Sequence, residues 1–278
     1  THSCPWTHHW STFANPPSGH VTPTAHIGQP STIMNSYTNA IETNQLSRKF
    51  GNFSAVHEVT FNVPKGEIFG LLGPNGAGKT TIMRMLCGIV LPSAGSANVL
   101  GFDIRRQAEQ IKKNIGYMSQ RFSLYNDLSP RENLSVYASI YGLGRKQQAA
   151  RIDQLIEMAG LKDYQREMTS SLSGAWRQRL ALACAIVHEP PMLFLDEPTA
   201  GVDPISRREF WELIYEMAGR GVSMLATTHY MDEAEFCNTI GMMYQGSLVA
   251  IGSPDLLRSN MPGVLLQIDC DQPEEALH

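Results

Sequence analysis

Short apolar runs alternate with stretches of helical spacing from about Gln45 to Asn260. Three of these runs are almost wholly apolar and are predicted to be buried strands, namely Glu67–Leu72, Met192–Leu195 and Ser223–Thr227. Strands that alternate with helical segments are typical of a mostly parallel sheet covered by helices. The pattern therefore predicts an α/β core over residues 45–260.

The segment from about residue 121 to residue 188 is mainly helical. Apolar residues recur at spacings of three and four in Arg131–Tyr141 and Arg145–Leu161, and two glycines, Gly142 and Gly144, separate these stretches. We expect a helical subdomain inserted into the α/β core. Further along, Gly241–Gly252 is predicted to be an antiparallel β-hairpin that turns at Gln245 and Gly246.

Both ends of the chain differ from this core. Residues 1–44 contain no Lys or Arg and a single acid, Glu42, among many Ser, Thr, Asn, Pro and His residues, which predicts a flexible polar linker. Its His and Trp residues could also form a metal or aromatic cluster. Residues 261–278 are expected to be the truncated start of a C-terminal extension, with a strand over Val264–Cys270.

Composition narrows the possible functions. The chain has 278 residues, is 42 % hydrophobic and carries a net charge of −4, so no basic surface indicates nucleic acid as a partner. No apolar run approaches the roughly 18 residues that a membrane span requires. Five scattered cysteines without a CxxC pair favour a reduced, cytosolic protein without disulfides or a zinc site.

A glycine-rich loop with the sequence GPNGAGKT lies between a predicted strand and a predicted helix. It fits the pattern G-x-x-x-x-G-K-[ST], whose backbone N–H groups converge on nucleotide phosphates. Lys79 is expected to reach the β- and γ-phosphates, and the Thr80 hydroxyl is expected to bind Mg²⁺. The predicted nucleotide-binding residues of this segment are Gly73, Asn75, Gly76, Ala77, Gly78, Lys79, Thr80 and Thr81.

Polar residues follow the other two buried strands. Asp196 and Glu197 come directly after one strand, where ligands of α/β sheets bind, and His229 comes just past the next. We expect Asp196 to bind Mg²⁺, Glu197 to polarise the attacking water, and His229 to contact the γ-phosphate. Without the phosphate loop, such acids would more often cap a helix, and such a histidine would more often be structural.

These motifs together resemble the nucleotide-binding subunit of ATP-binding-cassette (ABC) transporters. The resemblance covers about residues 45–260 and rests on five motifs in order: GPNGAGKT, the glutamine of YMSQ, LSGAW, FLDEP followed by AGVD, and the histidine of TTHYMDEAE. The chain is particularly similar to ATPases of bacterial drug or ABC-2 type exporters. The resemblance implies the P-loop NTPase fold with a mostly parallel sheet, an antiparallel β piece and a helical subdomain.

The resemblance also assigns further residues. In this family LSGGQ, matched here by LSGAW, caps the ATP held by a second cassette, so Ser173 and Gly174 are expected to face the partner's γ-phosphate. Ala175 stands where the family usually has Gly, and its methyl group either weakens this contact or is harmless in a helical conformation. Gln120 corresponds to the glutamine that touches Mg²⁺ and the water, and Phe50 to the aromatic residue that stacks on adenine.

Two other surfaces follow from the resemblance. AGVD resembles the loop that crosses the dimer interface, with Asp203 as its acid. The segment Arg121–Leu134 matches the region where such subunits receive a helix of the membrane protein. The apolar seat for that helix would consist of Phe122, Leu124, Tyr125 and Leu128.

The predicted function is an ATP-binding and ATP-hydrolysing subunit of an ABC transporter. Its expected partners are a second ABC ATPase domain and integral membrane permease subunits, with ATP and Mg²⁺ as cofactors and no nucleic acid. The expected location is the cytoplasmic face of the cell membrane. Two alternatives stay open: a soluble ABC ATPase acting on ribosomes or DNA, and one half of a tandem ATPase with a partly degenerate site.

Overall fold

The larger of two β-sheets forms the centre of the fold. The computed structural model describes residues 38–120 and 123–260. The sheet has six strands in the order β11-β10-β4-β9-β8-β7, parallel except for the edge pair β10 and β11. Its strands are β4 (Ile68–Leu72), β7 (Ile115–Met118), β8 (Met192–Asp196), β9 (Ser223–Thr228), β10 (Thr239–Tyr244) and β11 (Ser247–Gly252). The predicted α/β core is confirmed.

The second sheet is antiparallel, with strand order β2-β1-β5-β6 and β3 also paired to β1. Its strands are β1 (Asn39–Phe50), β2 (Phe53–Val59), β3 (Asn62–Pro64), β5 (Ala94–Val99) and β6 (Phe102–Asp103). The boundary predicted at residue 45 is wrong, because residues 39–44, assigned to the linker, form the first half of β1. Ala40 and Ile41 are fully buried there.

Three α-helices and a short 3₁₀ helix occupy residues 130–185. They are α3 (Pro130–Ile140), α4 (Arg145–Met158), the 3₁₀ helix (Thr169–Ser171) and α5 (Gly174–Ala185). Helix α3 begins with a capping box, in which the Ser129 side chain accepts the Glu132 N–H and the Glu132 carboxylate accepts the Ser129 N–H. Apolar residues at helical spacing, among them Leu134, Leu155 and Leu180, are fully buried between these helices and the sheet.

Four of the remaining helices connect strands, and the fifth, α8, follows the last described strand, β11. They are α1 (Lys79–Leu86), α2 (Ala108–Asn114), α6 (Pro204–Gly219), α7 (Met231–Ala234) and α8 (Pro254–Ser259). Helix α6 starts at Pro204 because Asp203 accepts hydrogen bonds from the N–H groups of Ile205 and Ser206. It buries Phe210 and Trp211 completely.

The β-hairpin predicted over Gly241–Gly252 is present as β10 and β11, with Gln245 and Gly246 at its turn. The predicted linker up to residue 37 and the strand predicted over Val264–Cys270 lie outside the described residues. Among residues 38–120 and 123–260, every helix is too short or too polar to cross a lipid bilayer.

Candidate nucleotide site

The phosphate loop lies between the end of β4 and the start of α1. Gly76 and Gly78 adopt left-handed conformations, with φ of 82° and 101°. A Cβ atom at Gly78 would lie 2.6 Å from the Ala55 carbonyl oxygen, and one at Gly73 would lie 2.3 Å from that of Met243. The loop therefore requires glycine at positions 73 and 78, because the backbone of other segments packs directly against it there.

The Lys79 side chain folds back onto this loop and is hydrogen-bonded to its backbone. It is 4 % exposed, and Nζ donates to the carbonyl oxygens of Gly73 at 2.7 Å and Pro74 at 3.1 Å. Nζ also lies 3.6 Å from Glu197 Oε1. Burial lowers the pKa of Lys79, and the Glu197 carboxylate opposes that shift. The ammonium group is thus fixed where phosphate oxygens would approach the loop.

Asp196 ends β8 and is surrounded by hydroxyl groups. Its Oδ1 accepts hydrogen bonds from Thr80 Oγ1 at 3.0 Å and Thr227 Oγ1 at 2.8 Å, and its Oδ2 accepts one from the Tyr117 hydroxyl at 3.4 Å. Burial and the Asp196 charge raise the pKa of Tyr117, which therefore stays a donor. A carboxylate beside a threonine hydroxyl is a donor set of hard oxygens, which suits Mg²⁺.

Glu197 follows Asp196 in an unusual backbone conformation, with φ of 48°. Its N–H donates to Thr227 Oγ1 at 2.9 Å, which fixes the turn directly after β8. Its carboxylate accepts a hydrogen bond from Gln120 Nε2 at 2.8 Å and lies 3.5 Å from His229 Nδ1. Left-handed non-glycine residues of this kind cluster at functional sites, where the surrounding contacts hold them in place.

A pocket of about 470 Å³ opens beside the loop, a volume within the usual range for small-ligand sites. At one end lie Phe50 and Phe53, which face each other across the β1–β2 turn and are 47 % and 65 % exposed. The Arg48 guanidinium carbon lies 4.4 Å from the Phe50 ring centroid. The pocket is lined by Phe50, Phe53, Ala55, Asn75, Gly76, Ala77, Gly78, Lys79, Thr80, Thr81, Gln120 and Glu197.

The structure places Ser173 and Gly174 at the start of α5, and neither lines this pocket. Ser173 is exposed, and its side chain makes no hydrogen bond to the helix that it caps. Ala175 lies in the first turn of α5, and its φ is not positive. A methyl group at Ala175 is therefore compatible with the local backbone, and the exposed helix start can face a group outside this chain.

The predicted apolar seat for a membrane-protein helix is only partly described. Phe122 lies outside the described residues. Tyr125 is 49 % exposed, whereas Leu124 and Leu128 are half-buried and Leu124 packs against the helical core. Of the three described residues of this seat, only Tyr125 exposes a large apolar side chain.

Sequence reasoning missed Thr227 and Tyr117. Thr227 is the last residue of a predicted strand and comes two positions before His229, so a polar residue at this strand end was an available signal. Tyr117 offers no such signal, because aromatic residues are common in strands that pack against a core.

The fold and this site define a nucleoside-triphosphate-binding α/β protein of the phosphate-loop class. Residues 56–200 match the family model described as ABC transporter. The chain therefore belongs to the ABC transporter family and carries its ATP-binding cassette.

Curated relatives extend this match beyond the family model. The chain is 49 % identical over 219 residues to the probable multidrug ABC transporter ATP-binding protein YbhF of Escherichia coli. The matched residues make up 79 % of this chain but only 38 % of the length of that relative. The chain is also 39 % identical over 233 residues to the Nod factor export ATP-binding protein I of Paraburkholderia xenovorans, covering 84 % of this chain and 75 % of the relative.

Solved structures agree with the fold. The cbiO1 protein of Clostridium perfringens, part of the ABC transporter complex cbiONQ, superposes with a TM-score of 0.75 at 27 % identity, covering 81 % of this chain and 92 % of cbiO1. The dimeric ATP-binding cassette MJ0796 bound to ADP and Pi has a TM-score of 0.70 at 22 % identity, over 77 % of this chain and 98 % of MJ0796. The predicted fold class is therefore confirmed.

Proposed function

We propose that this chain binds ATP with Mg²⁺ and hydrolyses it to power an ABC exporter. The observation that carries the proposal is the position of the Glu197 carboxylate, which Gln120, His229 and Lys79 surround at the edge of the phosphate loop. A carboxylate in this place can accept a proton from a water molecule that attacks the γ-phosphate.

The nucleotide would extend along the pocket from Phe50 and Phe53, at the β1–β2 turn, to Asp196 and Glu197. Phe50 would stack on the adenine, with Arg48 already against one face of its ring. Lys79 and the backbone N–H groups of the loop would hold the phosphates, with Thr80 and Thr81 at the start of α1. Asp196, Thr80 and Gln120 would provide oxygen atoms to Mg²⁺, which neutralises phosphate charge when it is bound.

Hydrolysis would need a second cassette. In the proposed arrangement, Ser173 and Gly174 of one cassette cap the γ-phosphate held by the other, through the N-terminus of α5. The unused Ser173 side chain supports this role. His229 would hydrogen-bond to the γ-phosphate and the attacking water, and closure on ATP followed by reopening after hydrolysis would act as a two-state switch.

The export role rests on relatives whose names include multidrug transport and Nod factor export. We infer that the cassette, with its helical subdomain at about residues 121–188, drives integral membrane permease subunits from the cytoplasmic face of the membrane. Nucleic acid is not an expected partner, given the net charge of −4. The second cassette is either another copy of this chain or a further cassette in the same polypeptide.

Light scattering of the Glu197→Gln variant tests the proposal, because loss of the carboxylate should trap the ATP-bound form. We expect a monomer without nucleotide and a dimer with ATP and Mg²⁺. A variant that binds ATP but stays monomeric would point to a different second cassette or to a need for permease subunits.

The phosphate loop is tested separately by Lys79→Ala, with Lys112→Ala on the exposed face of α2 as the matched control. The Lys79 variant should lose ATP binding, as measured by isothermal titration calorimetry, while the Lys112 variant keeps it. Normal affinity in the Lys79 variant would contradict the assignment of the loop.

A further inference from the structure

Arg207 lies in the first turns of α6, and its guanidinium group connects two loops. Its side chain is 12 % exposed. Nη2 donates to the Val202 carbonyl oxygen at 3.3 Å, in the loop between β8 and α6. Nη1 donates to Asp232 Oδ2 at 2.9 Å, in the segment that follows β9. One cation thus joins the loops that leave two neighbouring parallel strands.

The second of these loops carries His229. The Arg207 guanidinium carbon lies 4.0 Å from the centroid of the Tyr230 ring, a cation–π contact. The Tyr230 ring in turn lies 4.1 Å from the His229 imidazole, centroid to centroid. The Tyr230 N–H donates to Thr228 Oγ1 at 2.9 Å, which fixes the backbone between them. Arg207, Tyr230 and His229 therefore form a continuous row of packed groups.

A buried carboxylate holds Arg207 from a further side. Glu233 is 1 % exposed, and its Oε1 lies 3.4 Å from Arg207 Nε. With Asp232 this gives the guanidinium two carboxyl neighbours within one short helix, α7. A partly buried cation with this many partners has little freedom to move on its own, so a shift of either loop is passed to the other.

We propose that Arg207 is a positioning residue that links the loop Ala200–Asp203 to His229. Displacement of that loop, which would face the second cassette, changes the position of the His229 ring relative to the Glu197 carboxylate, now 3.5 Å away. Closure of the two cassettes would thereby change the geometry of the residues that carry out hydrolysis. The inference rests on the proposed ATP hydrolysis.

Steady-state kinetics of Arg207→Met and Arg207→Lys test this link. Arg208→Met is the matched control, because Arg208 is the next residue of α6 but is 75 % exposed and pairs only with Glu212 among the ion pairs of the described residues. We expect Arg207→Met to lower kcat roughly 10- to 100-fold with KM for ATP nearly unchanged, since a displaced group affects the reaction more than binding. Arg207→Lys should recover part of the loss, and Arg208→Met should match the wild type.

A second background separates positioning from support of the fold. If Arg207 acts through His229, adding Arg207→Met to His229→Ala should lower the residual kcat by less than about twofold, whereas independent effects would multiply. Multiplicative effects, or a higher KM with unchanged kcat, would overturn the proposal. If Arg207→Met does not fold, Tyr230→Leu, which interrupts the same row without removing a charge, must show the same lowered kcat and the same non-multiplicative behaviour.

The wild-type chain distinguishes the two proposals. If it binds ATP but does not hydrolyse it under any condition, including with its second cassette, the proposed function fails. If it hydrolyses ATP while Arg207→Met and Tyr230→Leu behave like Arg208→Met, only the link through Arg207 fails.

Discussion

Gln120 Nε2 donates a hydrogen bond to Glu197 Oε2 across 2.8 Å, although 77 residues separate the two in the chain. The contact follows from the register of two parallel strands. Met118 of β7 pairs with Leu195 of β8, so the residues two positions further on, Gln120 and Glu197, emerge side by side. Residues at the carboxyl ends of parallel strands converge on one edge, and here that edge is the nucleotide pocket.

Gln120→Glu should lower turnover further than Gln120→Met. Glutamate replaces the Gln120 donor with a second carboxylate whose negative charge repels that of Glu197, whereas methionine only removes the hydrogen bond. Steady-state ATPase rates of the two variants measure the difference. Equal kcat values would mean that residue 120 does not face Glu197 during hydrolysis.

Thr227→Val should impair both the stability and the activity of the cassette. Its hydroxyl donates to Asp196 and accepts the N–H of Glu197, so valine leaves both groups with one partner fewer. We expect a loss of about 1–3 kcal/mol in the free energy of unfolding. Turnover should also fall roughly 10-fold or more, because the acid pair is no longer fixed.

Ser223→Ala is the control for Thr227→Val. Ser223 lies at the opposite end of the same strand, β9, where its hydroxyl accepts the Gly66 N–H. The serine variant should lose stability without losing turnover once folded. Equal turnover in the two folded variants would contradict a role for Thr227 at the site.

The candidate site could be predicted from the sequence because its groups follow short apolar strands. Asp196, Glu197 and His229 all emerge at predicted strand ends, and the phosphate loop has a fixed pattern. The assignment of Gln120 to the same site as Glu197 rests on family resemblance, since the spacing of the residues does not reveal which strands are neighbours. Strand order depends on packing between distant segments, which a local pattern does not encode.

The antiparallel sheet was the least visible part of the fold. The strand β1 mixes buried and exposed positions irregularly over Asn39–Phe50, with shifts of register against each of its partners. Gln45 adds a positive φ of 48° within the strand. A bulged strand does not keep the strict alternation on which sequence reasoning relies, so its start was placed in the polar linker.

Ala175→Gly should not raise turnover, although glycine is usual at this position in the family. Ala175 lies in the first turn of α5 without a positive φ, so its methyl group causes no backbone strain. Glycine would instead cost up to about 1 kcal/mol of helix stability. Thermal unfolding and ATPase rates of the variant check both statements. A clear rise in turnover would show that the methyl group obstructs the partner's nucleotide.

The buried Glu233 predicts how stability depends on pH. Burial raises the pKa of Glu233 from its ordinary value of 4.5 to about 7, against the opposing effects of the Thr228 hydroxyl and Arg207, and Asp232 adds to the rise. The folded state therefore keeps a proton that the unfolded chain releases above pH 4.5. This carboxyl group lowers stability progressively as pH rises from about 4.5 to 7, and its effect is constant above that range.

Glu233→Gln should remove this dependence, because the amide cannot ionise. At pH 5 the variant and the wild type should unfold with similar free energies, and at pH 8 the variant should be the more stable by about 3 kcal/mol. Urea unfolding at the two pH values measures the difference. Glu212→Gln, on the exposed face of α6, controls for the loss of one negative charge. A gap between Glu233→Gln and wild type that is the same at both pH values would show that Glu233 does not hold a proton in the folded protein, and that the pair with Arg207 is ionised throughout.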